Sequence, residues 1–364
     1  MNTTLTAKND LITSIQIDIV KADYEDEVKK TLKQYQHKAI LPGFRQGKVP
    51  FGMIERMHGQ TVKLDVINKM VSETLNNQII ENKLDIIGYP LPDQEKEQVI
   101  DIAKDDNMTF YFEVANKPKL DINFSDFQVN KYNISITDKE IDNIVQRLRE
   151  NNKKDDQLPE LNEEFFNLIF PGADIKDIDS FRKKIYDELD IQYNKESERM
   201  FYNNAVDTLI NNITFNLPDD FLKRLIIANS EGKLTREEVD QNYEKNYLTG
   251  MKWQLIEDYI VGKYPELAVN EDDLRNFVKT SYFGHLNNDT MDDEMKERMN
   301  NIIDTVLKDQ QQRSYITNQI ISNKLTAFFN ENLKVEPVNV NYEEFMKATM
   351  PELDKKEEVE ETKE

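Results

Sequence analysis

The 364-residue chain carries 47 Lys and Arg against 69 Asp and Glu, a formal net charge of −22, and 38% of its residues are hydrophobic. That balance allows real cores in two or three domains but argues against general affinity for nucleic acid, because phosphate repels an acidic surface. Cysteine is absent, which removes disulfides, thiolate nucleophiles and Cys-based metal sites together and fits a reducing compartment. The N-terminal segment MNTTLTAKNDLITSIQIDIV has no basic stretch followed by an apolar core. Nor does any run approach the roughly 18 apolar residues of a membrane span, so a soluble, cytosolic protein without a membrane partner is predicted.

In chain order, Ile15, Ile17 and Ile19 alternate with Ser14, Gln16 and Asp18, which predicts a strand over 11–20 with one buried face. Asp23 reads as an N-cap before Tyr24, Val28, Leu32, Tyr35 and Ala39 at helical spacing. The segment LPGFRQGKVP (41–50) interrupts that pattern, and Pro50 suits the first turn of a short helix ending near Gly59. A longer helix with the stripe Leu64, Ile67, Met70, Val71, Leu75 and Ile79 follows, then strands over Gln98–Ala103 and Met108–Val114 around an acidic turn. This order predicts an α+β domain over 1–117, an antiparallel sheet with helices on one face.

An extended piece over Phe127–Ile136 leads into Thr137-Asp138-Lys139-Glu140, which has the spacing of a capping box. With the charged stretch after Asn151 these make a linker over 118–158. From Pro159, placed in a first helical turn, the pattern predicts a mostly α-helical, elongated region over 159–350. Its helices include one through Phe181, Ile185, Leu189, Phe201, Ala205 and Leu209, others over Met251–Val261 and Asp272–Phe283, and a long one from about Asp292 to Asn330. The acidic residues 351–364 read as a disordered tail.

One segment departs from the acidic average: from Val28 to Leu64 there are eight Lys or Arg and one acid, Glu55. Within it, Gly43 and Gly47 permit positive φ while Pro42 and Pro50 stiffen the flanks, so a loop between two helices would present Phe44, Arg45 and Lys48 outward. Arg and Lys can contact phosphate, and a loop-tip aromatic can enter a groove or stack on a base. The same spacing equally allows an interhelical turn whose Phe44 folds back onto the core.

The string LPGFRQGKVP, lying between two helices after an N-terminal strand, resembles the ribosome-docking signature of the trigger factor family. The capped helix at Thr137, the Pro159-Glu160-Leu161 segment and the closing run Asn341-Tyr342-Glu343-Glu344-Phe345-Met346 are similar in pattern too. The resemblance implies ribosome-binding residues Gly43, Phe44, Arg45, Gly47, Lys48 and Pro50, with the large ribosomal subunit (ribosomal RNA and an exit-site protein) as partner. Many relatives carry a basic residue at the position of Gln46, so one tip charge is missing here. It also implies that nascent and unfolded polypeptides are held by the helical region, and it leaves a homodimer open.

The family's prolyl-isomerase domain, on the order of 100 residues, would lie between the linker helix and Pro159, where only the short stretch after Arg149 stands. No isomerase activity is therefore expected. His37, His58 and His285 form no recognisable catalytic string, and no phosphate-binding Gly-rich loop, His-x-x-x-His pair or calcium loop is present, so no cofactor, metal or ATP requirement is expected. Phe165, Phe166, Met200, Phe201, Tyr202, Trp253, Phe277, Met295, Met299, Phe328 and Phe329 are candidates either for core or for an adaptable client-holding surface. The rival readings are a ribosome- or RNA-binding factor that holds no client, a prolyl isomerase with an unrecognised site, and a periplasmic chaperone of similar shape.

Overall fold

A computed structural model describes residues 1–96, 100, 105–154, 156–284 and 292–349. The chain forms two compact units that are discontinuous in sequence, whereas the division read from sequence is contiguous. Unit 1 comprises Met1–Leu120 with Phe215–Met251, and unit 2 comprises Asp121–Thr214 with the residues from Lys252 onward.

Unit 1 is built on an antiparallel sheet of order β1-β2-β4-β3, with strands β1 (Asn2–Ala7), β2 (Ile12–Ile19), β3 (Ile86–Pro92) and β4 (Met108–Asn116). Strand β2 runs in unbroken register with β4, Ile12 opposite Ala115 through Ile19 opposite Met108. The alternation read from sequence has the expected consequence: Ile15, Ile17 and Ile19 enter a core with Tyr24 and Leu32 of α1 (Lys21–Lys38) and Ile54, Val62 and Ile67 of α2 (Phe51–Glu81). Residues of opposite parity face elsewhere, because successive strand side chains point to opposite sides. Ile12 and Ala115 join Leu91 in a second cluster with Phe221, Leu222, Leu225 and Ile226 of α6 (Asp219–Asn229) and Val239 of α7 (Arg236–Asn242).

Several boundaries differ from the sequence reading. Val20, not Asp23, is the N-cap of α1; Asp23 sits three residues in and accepts the Val20 N–H at 2.9 Å, which is half of a capping box, since valine has no side-chain acceptor to return the bond. Helix α2 is a single 31-residue helix that passes through Gly59 without a break, and Pro50 is its N-cap rather than a first-turn residue. A glycine in a helix interior weakens it by only about 1 kcal/mol, which the burial of Ile54 and Val62 on either side offsets. The strand expected over Gln98–Ala103 falls, apart from Ile100, outside the described residues, as does the acidic tail.

Unit 2 contains a parallel pair, β5 (Gln128–Ser135) with β6 (Lys334–Asn341), in register from Gln128–Lys334 to Ser135–Asn341. Against β5 packs α5 (Ile178–Asn212), whose buried residues recur every four positions from Phe181 to Leu209. Each step of four turns a helix roughly 40° beyond a full circle, so this stripe winds around α5 and serves different neighbours along its length. Its first half joins Ile141 and Val145 of α3 (Asp138–Asn151) and Phe165 and Phe166 of α4 (Glu163–Ile169). Further on, Phe201 is fully buried and Tyr202 meets Trp253 and Phe329.

Thr137 caps α3 as expected, its hydroxyl accepting the Glu140 N–H while Glu140 accepts the Thr137 N–H at 2.7 Å. Pro159 does not open a helix: α4 starts at Glu163 behind its own cap, Asn162. The long helix expected from Asp292 to Asn330 is two helices, α10 (Asp293–Lys308) and α11 (Gln310–Asn332). Between them Asp309 accepts the N–H groups of Gln311 and Gln312 at 2.9 and 3.0 Å. With Leu274 and Val278 of α9 (Glu271–Phe283), these two helices make a small core of their own. Helix α8 (Thr249–Lys263) carries Trp253, and the short α12 (Tyr342–Thr349) follows β6.

Candidate functional site

The segment that links α1 to α2 in unit 1 is two consecutive tight turns. In the first, the Phe44 N–H donates to the Leu41 carbonyl at 3.1 Å, with Pro42 supplying a fixed φ and Gly43 at φ +87°. In the second, the Lys48 N–H donates to the Arg45 carbonyl at 2.9 Å, with Gly47 at φ +75°. A residue at the third position of such a turn needs positive φ, which glycine adopts without steric penalty. Both glycines of the string are thus required by the backbone path.

The two ends are anchored. Val49 is 1% exposed within the unit 1 core, and its carbonyl accepts Gln36 Nε2 at 2.7 Å. Pro50 starts α2, its carbonyl accepting the N–H groups of Met53 and Ile54. Between these anchors Pro42, Gly43, Phe44, Arg45, Gln46 and Lys48 are exposed, and Gly47 is half-buried beside the carbonyl of His37. Phe44 is 39% exposed rather than folded into the core.

Charge is left over at this end of the unit. Of the eight cations between Val28 and Leu64, Lys29 and Lys30 pair with Glu25 and Glu27, and Lys63 donates to the Asp105 carbonyl and lies over the Tyr24 ring. Among the described residues, Lys33, Lys38, Arg45, Lys48 and Arg56 have no carboxylate partner. Exposed apolar side chains accompany them: Ile40 before the turns, and Met53 and Met57 one helical turn apart on α2. Sequence reading missed these three, although Met53 and Met57, four residues apart, share a helix face that buried Ile54 does not. His37 is exposed in the last turn of α1, whereas His58 lies inside α2 with its ring 5.4 Å from that of Tyr35; His285 is outside the described residues.

In unit 2 the structure sorts the eleven large side chains. Phe165, Phe166, Phe201, Met299, Phe328 and Phe329 are buried core. Met200, Tyr202, Trp253 and Phe277 are half-buried, and only Met295 is exposed. Exposed apolar residues not singled out from sequence include Leu168 on α4, Tyr186 and Ile191 on α5, Tyr282 on α9, Ile302 on α10 and Tyr315 on α11. A signal for one exists: Ile302 directly precedes buried Ile303, and neighbours on a helix cannot share a face. No described helix is long and apolar enough to cross a membrane, and no group of three or more potential metal ligands is found among the described residues.

Residues 1–148 match the family model for bacterial trigger factor protein, and residues 197–349 match that for the probable trigger factor C-terminal domain. The chain belongs to the trigger factor family. Curated trigger factors include that of Bordetella avium, 36% identical over 137 residues, which are 37% of this chain and 30% of the relative. That of Thermodesulfovibrio yellowstonii is 34% identical over 135 residues, 37% of this chain and 32% of the relative. The chain thus aligns with about a third of the length of these relatives. A solved structure of a trigger factor chaperone, described as recognising substrates promiscuously in folding and assembly, superposes with a TM-score of 0.55 at 12% identity. It covers 91% of this chain and 100% of its own, which places the α+β unit and the helical region in the trigger factor fold. Only residues 149–196 separate the two matched segments, and the family's central domain is lacking from this chain.

Proposed function

We propose that this trigger factor is a cytoplasmic, ATP-independent holding chaperone that docks on the large ribosomal subunit through the Gly43–Lys48 turns. The observation that carries the reading is the rigid double turn with Phe44, Arg45 and Lys48 exposed at its tip, set among cations that lack carboxylate partners. A polyanion is attracted by uncompensated positive charge, and a fixed loop loses little conformational freedom on docking. Ribosomal RNA and an exit-site protein are the corresponding partners, and unfolded polypeptides the clients. Exposed Tyr186, Ile191, Tyr282, Ile302 and Tyr315 support client holding, since large apolar side chains in water offer contact area without sequence demands. The chain is not expected to act as a prolyl isomerase.

The test is cosedimentation with ribosomes together with light scattering of a refolding client. Wild type should pellet with ribosomes and reduce scattering without nucleotide; Phe44→Ala, Arg45→Ala and Lys48→Ala together should abolish only the pelleting. Scattering unchanged at any ratio would instead favour the reading as a ribosome-binding factor that holds no client. Pelleting of the triple variant at the wild-type level would remove the docking assignment.

A further inference from the structure

Helices α6 and α7 reach unit 1 from far along the chain, and they arrive as one piece. Lys223 pairs with Asp240 at 2.7 Å, Arg236 with Asp220 at 2.9 Å, and the Tyr243 hydroxyl donates to Asp219 at 2.8 Å. On the N-terminal side 213–218 has no regular structure, and on the C-terminal side a π-helical stretch, Tyr243–Leu248, joins α7 to α8 without a break. A π-helical turn is rare within an α-helix and is frequently found at functional sites.

Its seat on the sheet is specific. Strand β3 shifts register between Ile87 and Leu91, and Gly88 there has φ +70°. A Cβ at Gly88 would stand 2.5 Å from a Leu225 methyl, so the missing side chain is the socket for that leucine. Beside it, Glu113 of β4, its side chain 9% exposed, has both oxygens engaged from different directions. One accepts Lys8 Nζ at 2.7 Å and the other accepts the guanidinium of Arg224 on α6. Arg224 also donates to the Pro92 carbonyl at 3.2 Å, and the Tyr89 hydroxyl donates to Asn229 at 3.0 Å.

The asymmetry of this network is informative. Lys8 lies 2.9 Å from Asp93, whose side chain is fully buried, as well as 2.7 Å from Glu113. Lys8, Asp93 and Glu113 all belong to the first 120 residues, and only Arg224 comes from the helical piece. A buried carboxylate stripped of its one counter-ion is strongly destabilising. Here Arg224 can leave without creating one, because Lys8 remains on both acids. We infer that Phe215–Met251 is a releasable cover on the N-terminal sheet, latched by Arg224 on Glu113, which opens as a unit while the sheet and its Lys8-centred ion cluster stay intact. The inference does not depend on whether the chain holds clients or docks on a ribosome.

Hydrogen exchange read by mass spectrometry on the full chain tests it. In wild type, the amides of α6 should exchange through an opening that leaves β2 and β4 protected. Arg224→Met keeps an unbranched apolar stem but removes the guanidinium that forms the latch and lies over the Phe221 ring; it should speed exchange of α6 by about ten-fold or more, with β2 and β4 within about two-fold of wild type. Leu225→Ala, which empties the Gly88 socket from the helical side, provides a second reading should Arg224→Met not fold, with the same expected pattern. Equal protection of α6, β2 and β4 in wild type, or equal acceleration of all three in either variant, would overturn the inference, as would α6 exchange unchanged by both substitutions.

Discussion

The two units divide the acidity of the chain very unequally. Unit 1 holds 21 Lys and Arg to 25 Asp and Glu, a net −4, whereas the rest holds 26 to 44, a net −18. Unit 1 also sets five cations without a carboxylate partner among the described residues, Lys33, Lys38, Arg45, Lys48 and Arg56, in the segment around one loop, while many unit 2 surface cations, such as Arg182 with Asp142 and Arg313 with Glu271, have carboxylate partners. The comparison shows why a whole-chain charge of −22 misleads: it averages over a local cationic segment, Val28–Leu64, that the acidic remainder conceals. The units differ equally in core construction. Unit 1 depends on strands and helices drawn from distant parts of the chain, whereas much of unit 2 is neighbouring helices on the wound stripe of α5.

Four substitutions or treatments should separate the units, beginning with the largest effect. Phe181 is fully buried among Phe165, Phe166 and Phe170, with ring centroids 4.5 to 5.9 Å apart. Phe181→Ala should cost unit 2 about 3–5 kcal/mol, seen in calorimetry as a lowered unit 2 transition with unit 1 melting unchanged; a single shifted transition would show that the two melt together. Limited tryptic cleavage at exposed Lys153 and Lys154 comes next. Because unit 1 contains residues from both sides of that cut, the fragments should co-elute on gel filtration, and clean separation would contradict the discontinuous unit.

A smaller loss is expected at the linker helix. Thr137→Ala removes the acceptor for the Glu140 N–H and should cost about 1 kcal/mol in unit 2 stability by denaturant titration. The last effect is a pH dependence. Burial alone would raise the Asp93 carboxyl, but the Lys8 ammonium and the Glu95 N–H outweigh it and hold the group below the usual carboxylate range. A depressed folded-state value contributes stability above the unfolded value of about 3.9 that is lost as pH falls through the folded one. Acidification below about pH 4 should therefore lower the unit 1 transition; in unit 2 the depressed carboxylates, such as Asp273 beside Lys324 and Glu271 beside Arg313, lie nearer solvent, so its transition should fall less. Scanning calorimetry between neutral and acid pH checks the order in which the two transitions fall.

Much of this architecture was legible in the sequence where local chemistry dominates. The Ile15-Ile17-Ile19 alternation, the Thr137 capping box and the Gly43 and Gly47 turns are each encoded within a few residues, and each is found in place. What could not be read depends on partners far away. Strand β1 is nearly devoid of large apolar residues, β3 contains Gly88, Pro90 and Pro92, and β6 contains Pro337. Proline lacks the N–H a central strand requires, so such runs read as non-strand, yet β1 and β3 are sheet edges, where the loss is tolerated. The attachment of Phe215–Met251 to unit 1 is equally silent, because an amphipathic helix records that it has an apolar face but not which surface will cover it. At the loop, sequence named the residues at the tip but not the exposed Met53 and Met57 beside it, nor which neighbouring cations lack partners.

The central claim is that the loop in unit 1 meets phosphate, and the salt dependence of ribosome affinity tests it most directly. Each phosphate contact contributes a slope of about −0.7 to −0.9 to the plot of log affinity against log salt. Wild type should show a clear negative slope, and Arg45→Ala with Lys48→Ala should make it shallower by about 1.4 to 1.8 while Phe44 stays in place. The same slope in wild type and the double variant, with affinity unchanged at low salt, would contradict the account.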